Sequence, residues 1–285
     1  MKFNQVRSAA ASFRNTMFVV VASVMLSQCS IAQTAKPADV DPDFINADRP
    51  GIADGSNVIG KGRIQLELGV QHELHRDNGA DTHLWTVPTL LRYGLTNKTE
   101  LRIETSGLSF VHYSGTNQPS DRTSGYSPIS IGFKHHLQEG QGDQKASIGV
   151  LGRLFLPSGS SDFKSKKTTG DLRLALDKDI TPTGNWSINP NIGVGFYEDG
   201  NGNMYTTVLA AVTLGYLSPN KRFNPFIDFG LQGNEEKQGK TSMIVDAGVA
   251  FIVGKDMQLD ASVGVGVLGS TTPHPFWSVG ISRRF

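Results

Sequence analysis

The stretch Phe276-Trp-Ser-Val-Gly-Ile-Ser-Arg-Arg-Phe285 alternates between apolar and polar side chains. The apolar positions would share one face of an extended chain: Trp277, Val279, Ile281 and Phe285. The polar or small positions would face the other way: Ser278, Gly280, Ser282 and Arg284. A period of two is typical of a β-strand with one apolar face. The pattern runs to the last residue, where chain ends are usually polar and frayed, and therefore predicts an ordered terminal strand.

About twelve alternating segments of this kind follow one another from residue 61 onward. The clearest spans residues 257–267, where apolar residues alternate with Gln, Asp, Ser and Gly. Past Gly107 the phase becomes unclear, which we interpret as a bulge. Each segment is close to the 9–11 residues that a tilted transmembrane strand needs. Amphipathic helix patterns are absent, and the connections are too short for parallel crossovers. The sequence thus predicts an all-β fold, a single antiparallel up-and-down transmembrane β-barrel of about 12 strands.

The connections between these segments fall into two alternating sets. One set is polar and mostly longer, near residues 77–81, 113–124, 157–168, 198–203, 233–240 and 269–274. The other set is short, near residues 94–99, 138–143, 181–184, 218–222 and 254–255. Outer-membrane barrels show this asymmetry, with short periplasmic turns and longer outer loops. The phase of the pattern places both ends of the barrel on the periplasmic side.

Composition narrows the class of protein further. The net charge of +1 gives no basic surface that would favour nucleic acid. The mean hydropathy of −0.23 excludes a bundle of membrane-spanning helices. It does not exclude a membrane barrel, because only alternate residues of a barrel strand face lipid.

The first 32 residues resemble a secretory signal peptide. A positively charged start precedes an apolar run, Met17–Leu26, and the Ser30-Ile31-Ala32 sequence suits signal cleavage. Cleavage would remove three positive charges and the only cysteine, Cys29, and would change the net charge from +1 to −2. The alternative is lipidation of Cys29, although Gln28 departs from that motif. Residues 33–60 are rich in Pro, Asp and Gly and predict an irregular periplasmic leader or plug, followed by the barrel at residues 61–285.

A soluble β-sandwich or barrel would also alternate and remains the simpler alternative for the fold. Aromatic residues near the segment ends favour the membrane, because interfacial girdles lie there. They are Trp85, Tyr93, Trp186, Tyr205, Tyr216, Phe223, Phe251, Trp277 and Phe285. The many charges on the polar face also favour a membrane barrel, because a soluble core would have to pair each of them.

Two motifs carry a family resemblance. Asn46-Ala-Asp-Arg-Pro-Gly-Ile-Ala-Asp-Gly55 and Gly60-Lys-Gly-Arg-Ile-Gln-Leu-Glu-Leu-Gly69 resemble the opening of proteobacterial outer-membrane proteins often labelled "transporter" or "putative MetA-pathway of phenol degradation". The turn Gly94–Arg102 and the terminal strand fit as well, whereas the middle of the chain matches only in pattern. The resemblance implies an outer-membrane barrel that passes small solutes, with aromatic compounds among the candidates. It also implies that the barrel-assembly machinery reads Phe285 as an assembly signal.

The candidate site residues fall in the leader and on the polar face of the strands. Asp48, Arg49 and Pro50 would form a compact turn that plugs the barrel mouth, or would belong to a solvated leader. The expected lumen charges are Glu67, Arg92, Arg102, Glu104, Lys134, Arg153, Arg173, Asp177, Asp228, Asp246 and Asp260. These charges either select polar solutes or pair and fill the interior. A barrel of twelve strands is compatible with both, since eight strands are filled by side chains and sixteen leave a wide channel.

No motif in the sequence indicates catalysis, a cofactor or a metal. The adjacent pair His135-His136 would point to opposite faces of a strand, as would His72 and His75. An outer-membrane phospholipase is the enzyme alternative, but only His112 and Ser114 share a face near a loop, without an orienting residue. A structural or adhesive barrel without transport is the other alternative.

We therefore expect a channel or transporter for small solutes, and not an enzyme, in the outer membrane of a Gram-negative bacterium. The expected partners are outer-membrane lipid, the barrel-assembly machinery and a small solute of unknown identity, with no nucleic acid. The sequence does not specify the oligomeric state.

Overall fold

A computed structural model describes residues 44–285, apart from residue 78 and residues 116–117. The predicted signal peptide, its cleavage site, Cys29 and the first part of the leader lie outside the described residues. Within the described part of the chain, no helix is long and apolar enough to cross a membrane.

The described chain folds into one antiparallel sheet of fifteen strand segments. They are β1 (Ile64–Asp77), β2 (Ala80–Thr86), β3 (Thr89–Gly94), β4 (Thr99–Thr105), β5 (Leu108–Gly115), β6 (Gln118–Tyr126), β7 (Ile129–Gln138), β8 (Ser147–Phe155), β9 (Thr169–Asp179), β10 (Trp186–Glu198), β11 (Met204–Tyr216), β12 (Phe223–Gln232), β13 (Ser242–Ile252), β14 (Met257–Leu268) and β15 (Phe276–Arg284).

The fifteen segments make twelve crossings of a closed barrel. Segments β2 and β3 continue one another, as do β4 and β5, and β6 and β7, because each pair adds to the same neighbouring strands. The last strand closes the barrel against the first, in a register that pairs Gly69 with Gly280. A closed antiparallel barrel of twelve strands confirms the fold predicted from the alternation, and closure leaves the sheet without free edges along this seam.

Three neighbouring strands are interrupted at the same height. The breaks fall at residues 87–88, 106–107 and 127–128. Hydrogen bonds join each break to the next. The Val87 amide donates to the Ser106 carbonyl (3.0 Å), and the Ser127 amide donates to the Gly107 carbonyl (2.9 Å). Pro88 and Pro128 lack the amide donor that a regular ladder requires. The unclear phase past Gly107 therefore reflects an aligned break across three strands, together with a shift of register between Tyr113 and Gly115 where β5 pairs with β6.

Burial alternates along the strands and defines an outer and an inner face. Large apolar side chains on the outer face remain exposed, for example Leu154 (58%), Ile192 (58%) and Val263 (59%). A water-soluble protein rarely leaves so wide an apolar surface uncovered, whereas the outer face of a membrane barrel is apolar in this way. Aromatic pairs lie near both ends of this surface, Trp85 with Trp277 (ring centroids 5.4 Å apart) and Trp186 with Tyr216 (5.1 Å), as interfacial girdles do.

The connections distinguish a long-loop end from a short-turn end of the barrel, called below the outer and the inner end. The predicted connection near 113–124 is wrong as a loop, because β5 and β6 continue through most of it and pair as a hairpin. The segment 156–168 covers the side of β6 that no strand pairs with. Its Ser160 amide donates to the Tyr126 carbonyl (2.9 Å), and the Phe163 side chain is buried. A covered edge cannot template pairing with another chain.

Candidate functional site

The leader lies inside the barrel, and the wall holds it through its backbone. It enters at the inner end, where the Ile45 amide donates to the Lys255 carbonyl (2.6 Å), and it leaves at the same end, where the Gly62 amide donates to the Gly94 carbonyl (2.7 Å). In between, wall side chains accept hydrogen bonds from leader amides: Asp48 and Arg49 to Glu67 (2.9 and 3.0 Å), Ile52 to Asp228 (2.7 Å), Asp54 to Asn191 (2.7 Å), Ser56 to Asp177 (2.8 Å) and Ile59 to Glu100 (3.0 Å).

These hydrogen bonds provide partners for backbone amides of the leader, although residues 44–60 form no helix or strand. An irregular segment away from water needs partners for its amide groups, and the carboxylates and the amide oxygen of the wall supply them. The acceptors come from β1, β4, β9, β10 and β12, so the leader follows the inside of the wall around most of its circumference. Residues 45–59 are buried or half-buried throughout. At this level the interior is therefore filled by the leader.

Glycines on the inner face of the wall leave room for the leader. The guanidinium of Arg49 lies against the paired Gly69 and Gly280, where a Cβ at either position would come within 2.4 Å of it. The same guanidinium donates to the Ser278 hydroxyl (2.7 Å) and pairs with Asp260 (3.2 Å). Two of its wall contacts, Ser278 and Gly280, belong to the polar face of the terminal stretch 276–285. The small polar face of that strand thus accommodates a leader side chain.

Asp48 is the leader carboxylate that pairs with three basic side chains of the wall. It pairs with Lys134 (2.7 Å), with Arg102, and with Arg92 (3.6 Å). Burial raises the pKa of Asp48, but the positive charges of Arg92, Lys134 and Arg102 outweigh burial and hold the pKa well below its usual range. The group is therefore ionised at neutral pH, and its charge fixes the leader to three wall cations.

A continuous chain of ion pairs extends around the wall, and it includes Arg92 and Arg102, two of the partners of Asp48. It alternates in sign from Glu67 to Arg92 (3.1 Å), Glu100 (2.8 Å), Arg102 (3.1 Å), Glu104 (2.8 Å), Arg153 (3.3 Å), Asp171 (2.8 Å), Arg173 (3.1 Å) and Asp54 of the leader (3.3 Å). Alternating charges with shared partners offset the cost of removing each ion from water. The charged side chains of this network are therefore paired with one another inside the barrel.

The structure places all eleven expected lumen charges on the inner face of the wall, where each is buried. Seven of them join the network around Asp48 and the ion-pair chain: Glu67, Arg92, Arg102, Glu104, Lys134, Arg153 and Arg173. Asp177, Asp228 and Asp260 contact the leader separately. Asp246 contacts none of these partners and lies directly opposite Asp228. At the level of the leader, the arrangement corresponds to the filled-interior alternative.

Sequence reasoning missed three members of the network. Glu100 and Asp171 lie two residues before Arg102 and Arg173 on the same face, so the period of two could have found them. Asp54 belongs to the irregular leader, where no period exists to indicate which way a side chain points. Its partner Arg173 lies 119 residues away in the chain. Contacts of that kind depend on the path of the leader through the folded barrel.

A pocket lies between the leader and the outer loops. Ile52 of the leader and Thr272 of the loop before β15 line it, and Glu73, Asn191 and Leu209 are among its wall residues. Leu209 also belongs to an inward-facing cluster with Phe155, Tyr197 and Tyr205. The pocket is lined mainly by apolar side chains with a few polar groups, which is typical of sites for small molecules.

The position of Tyr205 corrects one expectation. This residue is buried on the inner face, and its hydroxyl donates to the Glu235 carbonyl (2.6 Å), so it does not belong to the aromatic girdle. The period of two places Tyr205 on the face opposite Met204 and Val208, and so predicts an inward side chain. Its position near a strand end suggested the membrane interface instead. The other expected girdle residues lie on the outer face, half-buried or exposed.

The described residues contain no group of three or more His, Cys, Asp or Glu side chains arranged to hold a metal. His136 is buried and His135 half-buried, as expected for adjacent residues of one strand. His112 stacks with His83 (6.2 Å between centroids), and the Ser114 hydroxyl donates to the Asp81 carbonyl (3.5 Å). His112 and Ser114 thus contact other residues, and these contacts give no support to the phospholipase alternative.

A closed twelve-stranded barrel with an apolar outer surface, a charged interior and an internal leader has the architecture of a porin-like membrane β-barrel. The sequence of residues 47–281 matches the family described as "Putative MetA-pathway of phenol degradation", and the chain belongs to this family. No curated protein matches the sequence.

Solved structures with a similar fold include channels, porins and the translocator domain of an autotransporter. The COG4313 outer membrane channel from Pseudomonas putida F1 is 15% identical, with a TM-score of 0.62, and the match covers 81% of this chain and 98% of that one. The KdgM porin in complex with oligogalacturonate is 12% identical (TM-score 0.49, coverage 78% and 99%). The CymD monoaromatic hydrocarbon channel is 8% identical (TM-score 0.41, coverage 79% and 89%). At these identities the first shows the fold alone, and the other two carry no argument about this chain.

Proposed function

We propose that this protein is an outer-membrane channel that admits small solutes, including aromatic ones, and that its leader acts as an internal plug. The observation that carries the proposal is the course of residues 45–59 inside the barrel, buried against the wall. A barrel that served only as a membrane anchor would need filling but no chamber. Here the leader fills one level of the barrel and leaves a pocket between itself and the outer loops.

The lining of this pocket supports small solutes with an aromatic or apolar body and a polar end. Leu209 offers apolar surface in the pocket. It also packs in a cluster with Phe155 and Tyr197, and aromatic rings pack favourably edge to face with other rings. Glu73 and Gln232 offer hydrogen-bonding groups in the same pocket. A few polar groups within an apolar pocket orient a ligand and make its binding specific.

Passage through the level of the leader requires the leader to move. Its contacts favour motion as a unit, because they are hydrogen bonds and ion pairs to the wall and not a continuous apolar core. Ser56 and Ser147 allow a direct test of this requirement, since their hydroxyl oxygens lie 2.7 Å apart. The described residues contain no cysteine, so a disulfide introduced with Ser56→Cys and Ser147→Cys would have no competing thiol there.

Uptake into proteoliposomes tests the proposal. We expect the purified barrel to admit benzoate faster than empty liposomes do, and faster than cyclohexanecarboxylate, a non-aromatic solute of similar size. The oxidised Ser56→Cys, Ser147→Cys variant should admit less, and reduction should restore uptake. A folded barrel that admits neither solute would refute the channel. Equal uptake by the oxidised and reduced variant would refute the plug.

The same preparation separates the alternatives. A phospholipase would release fatty acid from the liposomes, whereas we expect no release. An adhesive or structural barrel would give no solute uptake at all.

Localisation and assembly complete the proposal. We propose the outer membrane of a Gram-negative bacterium, surrounded by its lipid, with signal-directed export and recognition of Phe285 by the barrel-assembly machinery. In support, Phe285 is 70% exposed, and its amide donates to the Ile64 carbonyl (2.8 Å) at the barrel seam. Phe285→Ser should lower the amount of heat-modifiable barrel in outer-membrane fractions. An unchanged amount would contradict the assembly role.

A further inference from the structure

A row of buried oxygen atoms crosses the inner face of four neighbouring strands, β10 to β13. Asn189 lies opposite Thr213, Thr213 opposite Asp228, and Asp228 opposite Asp246. The first three side chains are fully buried and the fourth is 3% exposed. Each carries an oxygen without a hydrogen-bond partner: Asn189 Oδ1, Thr213 Oγ1, Asp228 Oδ1 and Asp246 Oδ1.

The two carboxylates of this row are not compensated by protein charge. No arginine, lysine or histidine among the described residues forms an ion pair with Asp228 or Asp246. The other oxygen of Asp228 accepts a hydrogen bond from a neutral amide, that of Ile52 (2.7 Å). Asp48, by contrast, is surrounded by three cations. Buried charges are normally paired or coordinate a metal.

We propose that Asp228 and Asp246 bind one hard divalent cation, Ca²⁺ or Mg²⁺, between them. Directly opposite residues on antiparallel strands have Cβ atoms about 4.5–5.5 Å apart, so their carboxylates can share one ion. Carboxylate, hydroxyl and amide oxygens are the ligands these cations prefer, and water completes the coordination of sites with few carboxylates. A charge of +2 neutralises both carboxylates, which a monovalent ion does not.

Thr213 extends the site on the side of β11. The hydroxyl of Thr213 faces Asp228 from the neighbouring strand, fully buried and without a hydrogen bond to satisfy it. Such an orphaned group costs free energy, and a cation or its bound water accounts for it. The site also adjoins the leader, because Asp228 holds the Ile52 amide. The cation therefore links two wall strands to the leader, whether or not the barrel conducts.

Equilibrium dialysis against Ca²⁺ or Mg²⁺ tests the site. The full barrel, folded in detergent and treated with EDTA, should bind one divalent ion per chain, and its thermal unfolding midpoint should rise on binding. The double variant Asp228→Asn, Asp246→Asn removes both charges but keeps their shape and should bind none. Asp143→Asn, which removes an exposed carboxylate, should bind as the wild type does.

Heat-modifiable gel mobility shows that each variant is folded, and Asp246→Asn alone serves if the double variant does not fold. The proposal is overturned if the wild type binds neither ion at millimolar concentration, or if the Asn variants bind equally well. It is also overturned if the pair shares a proton instead. In that case no ion binds, and the unfolding midpoint falls as the pH rises.

Discussion

Asp48 forms ion pairs with three basic side chains of the wall. Removing one partner of a buried ion pair leaves the others uncompensated, which typically costs about 3–5 kcal/mol. Asp48→Asn should therefore lower the free energy of unfolding by about that amount, because Arg92, Arg102 and Lys134 stay buried. Urea unfolding in detergent measures the change. The exposed Asp143→Asn control should change it by less than about 0.5 kcal/mol.

The pH dependence of this contribution has a definite sign. The folded pKa of Asp48 lies below its unfolded value of about 3.9, so the unfolded chain binds more protons in acid. The stabilisation is complete above about pH 5 and is lost as the pH falls towards the folded pKa. The difference in unfolding free energy between wild type and Asp48→Asn should therefore shrink below about pH 4. A difference that grows in acid would contradict the assignment.

Gly149 tests the fit between the leader backbone and the wall. A Cβ at this position would lie 2.5 Å from the Ser56 carbonyl oxygen, so Gly149→Ala must displace the leader. We expect faster benzoate uptake from a barrel that remains folded. Gly233→Ala is the matched control, because its Cβ would meet no atom closer than 3.5 Å. Equal uptake by the two variants would show that the leader does not need this space.

At the scale of elements, the segment 156–168 stabilises the outer part of β6. Phe163 is 1% exposed, while Lys164, Lys166 and Lys167 beside it are exposed and present trypsin sites. Phe163→Ala removes a buried ring, a change that typically costs about 3–5 kcal/mol. We expect trypsin to cleave this segment faster in Phe163→Ala than in wild type, with Phe163→Leu in between. Unchanged cleavage would mean that the ring does not hold the segment in place.

The elements also show where sequence reasoning succeeds. The period of two predicted the strands and the inward charges, because successive residues of a barrel strand point alternately towards the lipid and towards the lumen. It did not predict the hairpin through residues 113–124, where polar residues continue the strands beyond the membrane. Polarity there reflects water on both faces, and not a loop.

At the scale of the whole molecule, the charged interior and the leader form one structure. The sequence predicted the wall charges but left open whether they pair or select solutes. The answer depends on Asp48, Arg49 and Asp54, which meet wall residues far away in the chain. No local pattern encodes contacts of that range, because they arise only when the barrel closes around the leader.

Conductance through a planar bilayer tests the central claim most directly, with the wild-type barrel compared to a variant that lacks residues 33–59. Both should show heat-modifiable mobility before insertion. If the leader fills the lumen of a channel, the variant should conduct at least several-fold more than the wild type, and its pore should admit larger polyethylene glycols. Equal conductance of the two folded barrels, or no conductance from either, would contradict the account.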